Sequence, residues 1–222
     1  MRNLFKFAGA LLLGSMLVFN VACSKDDDGP GGDPLGKIGT MTMKIDGRQW
    51  EADVATVMTL SDPDVEEGED LSYLVTMSGT KVFNGNSDEV AESISLNLIL
   101  SEAAFNNPKR SYPVYSMGEG EYGQGVIMYQ NKAVDESGSG AVYASVHSDD
   151  ANRSLGSITV KDYEIGSQSF LGQLLGKGYI KLSGTFESEL YSYDGEDKPL
   201  KKMVITEGKF NLNADLLSGF MK

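Results

Sequence analysis

Thr40-Met41-Thr42-Met43-Lys44-Ile45-Asp46-Gly47-Arg48-Gln49-Trp50-Glu51-Ala52 decides the fold class. Its first six residues alternate, Asp46-Gly47 interrupts them, and alternation resumes after it. Asp-Gly between two alternating runs is the signature of a two-residue type I′ hairpin, because both turn residues need positive φ. A turn at Asp46-Gly47 sets Ile45 opposite Arg48, Met43 opposite Trp50 and Met41 opposite Ala52. Met41, Met43 and Trp50 then share a core-facing side. Thr42, Lys44, Gln49 and Glu51 face water.

The same period of two recurs along the chain. Leu71, Tyr73, Val75 and Met77 alternate, as do Ile94, Leu96, Leu98 and Leu100 against Ser93, Ser95, Asn97 and Ser101. That pattern marks half-buried antiparallel strands. Residues 122–130, 141–147 and 155–165 read as further strands. Ile180, Leu182, Gly184, Phe186, Ser188 and Leu190 line one face of a long strand at 178–193, and 203–215 pairs back onto it. Residues 168–175 carry Phe170, Leu171, Leu174 and Leu175 at a spacing that suits one or two helical turns, ended by Gly176. The expectation is an all-β domain over residues 38–222, an antiparallel β-sandwich of nine or ten strands. A closed antiparallel β-barrel is the alternative, since periodicity does not separate the two.

Ahead of this domain the composition changes. Arg2 and Lys6 are followed by an apolar run from Phe7 to Phe19 and by Val21-Ala22-Cys23. A positive start, an apolar stretch shorter than a membrane span and a small residue at the end form a secretory leader. The expected leader is 1–22. Cys23 is the only cysteine, and a lone cysteine at that junction calls for an explanation. Residues 23–37, with Asp26-Asp27-Asp28 and Gly29-Pro30-Gly31-Gly32-Asp33-Pro34, read as a flexible acidic tether.

The junction resembles that of bacterial lipoprotein precursors. That resemblance implies cleavage before Cys23, a diacylglyceryl thioether on its sulfur, and a membrane held as partner through lipid. Two or more acyl chains hold a protein stably, whereas one does not. Ser24-Lys25-Asp26-Asp27-Asp28 after the cysteine is similar to the surface-export signal of Bacteroidota lipoproteins. It implies an outer-membrane protein on the cell-surface face. Met43-Lys44-Ile45-Asp46-Gly47-Arg48-Gln49-Trp50, Leu182-Ser183-Gly184-Thr185-Phe186 and Ile205-Thr206-Glu207-Gly208-Lys209-Phe210 are similar to a group of small Bacteroidota lipoproteins with an all-β domain. That likeness implies a fold and no activity.

Charge narrows the function. The chain carries −13, and loss of residues 1–22 would remove Arg2 and Lys6 and no acids, leaving −15. Such a surface repels phosphates, so no nucleic-acid partner is expected. His147 is the only histidine and falls at a strand end. Common zinc sites need several His or Cys ligands, and neither metal nor cofactor is expected. Asp62, Asp64, Glu66, Glu67, Glu69 and Asp70 are rich in oxygen ligands, but their spacing does not fit an EF-hand, and they read as a solvated loop. The chain holds no Gly-x-Ser-x-Gly or His-Glu-x-x-His motif and no phosphate-binding glycine loop. No enzyme is expected.

Tyr179, Tyr191 and Tyr193 alternate with the long strand's core face and stand beside Glu187 and Glu189. Aromatic rings next to carboxylates stack on sugars and bond their hydroxyls, so these tyrosines are the candidate glycan site. The resulting expectation is a non-enzymatic surface binding module with a glycan or protein ligand. A structural, adhesion or assembly component of the cell surface is the alternative, and a glycan-active enzyme ranks behind both.

Overall fold

A computed structural model describes residues 39–61, 72–81, 92–115, 123–131, 141–145, 153–170, 173–193 and 199–214. All of them lie in one compact unit, Lys37–Lys222. The leader, Cys23, the acidic residues 62–70 and His147 fall outside the described residues.

The described residues build eleven strands and one short helix: β1 (Gly39–Ile45), β2 (Arg48–Glu51), β3 (Val54–Ser61), β4 (Ser72–Lys81), β5 (Glu92–Ser101), α1 (Glu102–Asn106), β6 (Ser111–Val114), β7 (Gln124–Asn131), β8 (Ala141–Ala144), β9 (Gly156–Phe170), β10 (Gln173–Tyr193) and β11 (Pro199–Asn213). The fold is all-β, as expected. One sheet runs β2-β1-β11-β10-β9-β6 and is antiparallel throughout. The other runs β3-β4-β5-β7-β8, also antiparallel.

Single-pair parallel bridges, Asn213 to Thr56 and Val114 to Gly125, stitch the two sheets along their edges. β8 pairs with both β7 and β10. Sandwich and ring therefore merge here. Two layers face each other across one core, and the strand pairing closes around it.

The opening hairpin forms in the register read from its sequence, with Met43 opposite Trp50 and Ile45 opposite Arg48. Asp46 and Gly47 take φ of 48° and 81°, the two positive values a type I′ turn needs. Asp46 also ties the turn to β11, its Oδ1 accepting from the Val204 amide at 2.8 Å. Met41, Met43 and Trp50 are fully buried. The layers meet where glycine allows it. A Cβ at Gly79 of β4 would come 2.8 Å from Met41 Sδ, and one at Gly125 of β7 would come 2.9 Å from Ile158 Cδ1.

Three expectations change. β3 and β6 are strands that alternation did not single out. β3 is Val-Ala-Thr-Val-Met-Thr-Leu-Ser, with apolar and threonine residues on both sides, and β6 contains Pro113, a residue that weighs against a strand. Residues 168–170 and 173–175 are strand, not helix. β9 reaches Phe170, β10 starts at Gln173, and the pairing runs to their tips. Gln168 explains the strand state of its segment. Its Nε2 donates to the Tyr179 carbonyl at 2.6 Å and its Oε1 accepts from the Thr59 amide at 2.9 Å. A buried amide spent on two backbones holds this hairpin against β3 and overrides local apolar spacing.

The third change concerns Tyr179. It does not stand on the polar face. The register of β10 against β9 slips between Tyr179 and Lys181, where one extra residue, Ile180, is inserted. Such a bulge reverses which residues point inward. Tyr179 is 1 % exposed, lies 4.7 Å from the Phe105 ring and donates its hydroxyl to the Phe105 carbonyl at 2.6 Å. Burial pushes that hydroxyl's pKa up.

Candidate functional site

A groove of about 410 Å³ opens on the outward side of the first sheet. Three separate segments wall it: Arg153 to Ser157 leading into β9, Glu187 to Glu189 on β10, and Val204 to Thr206 on β11. The first segment is sewn in place by its backbone. The Leu155 amide donates to the Val114 carbonyl at 2.7 Å, and the Leu155 carbonyl accepts from the Glu189 amide at 2.7 Å. Leu155 itself is buried, which fixes the segment from below. Gly156 lets β9 begin against β10, because a Cβ there would lie 2.0 Å from the Glu187 carbonyl oxygen. On the opposite wall β11 bulges, with Thr206 and Glu207 together facing Glu187. Glu207 takes φ of 52° to do so.

Glu189 is the electrostatic centre. Its Oε1 accepts from Lys202 Nζ at 2.6 Å. Its Oε2 accepts from Arg153 Nη2 at 3.0 Å and from the Tyr191 hydroxyl at 2.9 Å. The Lys202 hydrogen bond is the main reason its carboxyl is held below the usual carboxylate range. Partial burial opposes that effect, and Tyr191 and Arg153 add to it. Burial, reinforced by the Glu189 charge, pushes the Tyr191 hydroxyl up. Two cations on one carboxylate cancel the protein's negative charge locally. A fixed fork of donors stands around one ionised acceptor, with exposed Glu187 and Thr206 at the rim.

Strand geometry sets Glu187 and Glu189 roughly 7 Å apart on one side of β10, a spacing used in glycoside hydrolysis. Such chemistry needs a carboxyl that keeps its proton near neutrality. It also needs an ionised partner, the state in which Glu189 is held. The Glu189 carboxylate and the donors around it can hydrogen-bond hydroxyl groups.

Of the candidate tyrosines, Tyr191 reaches the groove through Glu189, to which its hydroxyl donates, and does not itself line it. Its ring packs on the core and its hydroxyl orients Glu189. Tyr193 pairs with Pro199 at the end of β10, and its side chain lies outside the description. Tyr179 belongs to the interior. Sequence reading placed Glu187 and Glu189 beside the tyrosines but missed Arg153, Lys202 and Thr206. Nothing in periodicity marks them, since they come together only through the pairing of three distant segments.

A second polar cluster sits at one end of the core. The Glu92 side chain is 5 % exposed and reaches Arg48 at 3.4 Å. Its Oε2 and the neighbouring Tyr129 hydroxyl are buried without a hydrogen-bond partner among the described residues. Burial first, and then the Glu92 charge, pushes the Tyr129 hydroxyl far up. Among the described residues no group of three His, Cys, Asp or Glu side chains is arranged to hold a metal ion, and no helix is long and apolar enough to cross a membrane. No protein-family model matches this chain, and neither a curated protein nor a solved structure matches it.

Proposed function

We propose that the protein is a lipid-anchored, non-enzymatic binding module on the outer face of a bacterial outer membrane, and that the Glu189 groove contacts a polyhydroxylated ligand such as a glycan. The anchor rests on the leader, on Cys23 and on the acidic residues that follow it. The binding reading rests on one observation: Glu189 and Arg153 line an open groove of about 410 Å³, and Lys202 and Tyr191 also donate to the Glu189 carboxylate. A carboxylate fixed between two cations offers acceptors and donors at once, which is what adjacent sugar hydroxyls require.

A glycan array probed with the chain lacking its first 23 residues tests the binding arm, with Arg153→Ala and Glu189→Gln beside it. The expected result is a defined set of bound glycans that both variants lose, while far-UV circular dichroism stays unchanged. Binding that survives both substitutions would remove the groove from the reading. The anchor is tested separately by mass spectrometry of the membrane-extracted protein, where an unmodified Cys23 thiol would end that part of the proposal.

A further inference from the structure

The charges around the groove are matched except at one position. Arg153 and Lys202 both pair with Glu189, and beyond the β11 bulge Lys44 pairs with Glu207. Glu187 is exposed on β10, two residues before Glu189 and on the same side of the strand. Its side chain makes no hydrogen bond and no ion pair among the described residues. Near it stand Ser157, its partner on β9, and Thr206 on the β11 wall. Lys202 holds Glu189 without lining the groove. The lining therefore sets one cation, Arg153, against two carboxylates, Glu187 and Glu189, in a chain of net charge −13.

We infer that the groove binds a glycan carrying free amino groups, and that Glu187 is the residue that selects it. This rests on the reading of the groove as a glycan site and adds the charge of the ligand. A carboxylate accepts and does not donate, whereas an ammonium donates and does not accept, so each satisfies the other. Around that contact the groove offers what the adjacent hydroxyls of an amino sugar need. Ser157 and Thr206 both donate and accept. Arg153 reaches Glu189 through Nη2, and its guanidinium carries further N–H donors beyond that one.

Charge decides against the other classes of glycan. A uronic, sulfated or phosphorylated sugar would bring an anion into a lining whose own balance is negative, and the field of the whole chain opposes its approach. A neutral or N-acetylated sugar would leave the Glu187 charge to water. The contact is open to solvent, so the preference is modest. A free amine should bind about fivefold tighter than its N-acetylated form, the upper range for an exposed ion pair.

An array of amino-sugar oligomers, each beside its N-acetylated counterpart, tests this with the chain lacking its first 23 residues, which keeps the whole compact unit. It is read at about pH 6, below the ordinary range of amines. The wild type should favour the amine member of a pair about fivefold. Glu187→Gln should bring that ratio to within about twofold of unity while the N-acetylated member binds as before. Glu102→Gln removes the same charge on α1, which meets β10 at Tyr179 through Phe105, roughly 26 Å along the strand from Glu187. It should leave the ratio unchanged, which separates contact at Glu187 from general attraction of a cationic glycan to an acidic chain. Circular dichroism checks that each variant is folded. Equal binding of both members by the wild type overturns the inference and leaves the groove reading standing. A ratio that survives Glu187→Gln, or that falls as far in Glu102→Gln, overturns it too. Binding to no amine member also overturns it. Neutral glycans on the same array then decide the groove reading, which stands only if some are bound and Glu189→Gln loses them.

Discussion

On the outward side of the first sheet Lys44 meets Glu207 at 2.6 Å, Lys181 meets Glu164 at 2.6 Å, and Arg153 and Lys202 converge on Glu189. On the outward side of the second sheet the same backbone ladder carries leucine, methionine, valine, serine and threonine, and no charge. Both sides turn away from one core, so the core does not explain the contrast. A face of ion pairs in water costs little and contributes little. It keeps the surface soluble, and at one point it becomes a groove. The face without charge is different: Leu74 and Asn97 at its centre are 2 % exposed, and Thr56, Thr76 and Thr80 are buried beside them. The two faces thus differ in kind: one carries ion pairs and a groove in water, and the other is uncharged with a buried centre.

The sharpest way to break this comparison is to exchange the chemistry of the two faces. Leu74→Glu puts a carboxylate at a site 2 % exposed, among cross-strand neighbours that carry no charge. It should cost about 3 kcal/mol or more, while Thr185→Glu on the half-buried outward side of the first sheet should stay within about 0.5 kcal/mol. Urea unfolding of both variants measures this directly. Equal losses would mean that the two faces do not differ in kind.

Glu189→Gln should have a smaller effect, on the order of 1 kcal/mol or less, because the partners are partly exposed. Its pH dependence is the more telling signal. The folded carboxyl titrates below its ordinary value of 4.5, chiefly because Lys202 donates to it. The stabilisation is therefore fully present above that ordinary value and is lost as pH falls through the lower folded value. The stability gap between wild type and Glu189→Gln should be constant near neutrality and close in acid. A gap that persists unchanged at pH 3 would show that the loss came from packing and not from the ionised cluster.

The smallest effect is expected for Lys44 and Glu207, whose side chains are 37 % and 63 % exposed. A double-mutant cycle to alanine should give a coupling of no more than about 0.5 kcal/mol that fades with added salt. A coupling several times larger would mark this sheet's ion pairs as structural and would narrow the contrast between the faces.

What could be read in the chain before folding follows a physical divide. The opening hairpin was legible down to its register, because Asp46-Gly47 and the residues beside it carry all the information the turn needs. The alternating runs of β4, β5 and, from Leu182 onward, β10 named their inward residues for the same reason, whereas Ile180, read as inward, is the inserted residue of the β10 bulge. Reading failed where a distant partner decided the outcome. Tyr179 changed sides because β10 bulges against β9. Residues 168–170 and 173–175 became paired strand because Gln168 found backbone partners on β3 and β10. β3 went unassigned because both of its sides are covered in apolar and threonine residues, which blurs a period of two.

The site divides in the same way. Glu187, Glu189 and Tyr191 are neighbours along one strand and could be singled out together. Arg153 and Lys202 joined them only when the 153–157 segment was bonded to β6 and β10 and when β11 paired with β10. The sequence by itself determined the all-β class, the first hairpin and the acidic character of the chain, since these depend on local turn chemistry, on alternation and on composition. The tertiary structure alone decided which tyrosine faces water, where a groove opens and which sheet is left without charge, because each depends on register between segments far apart in the chain.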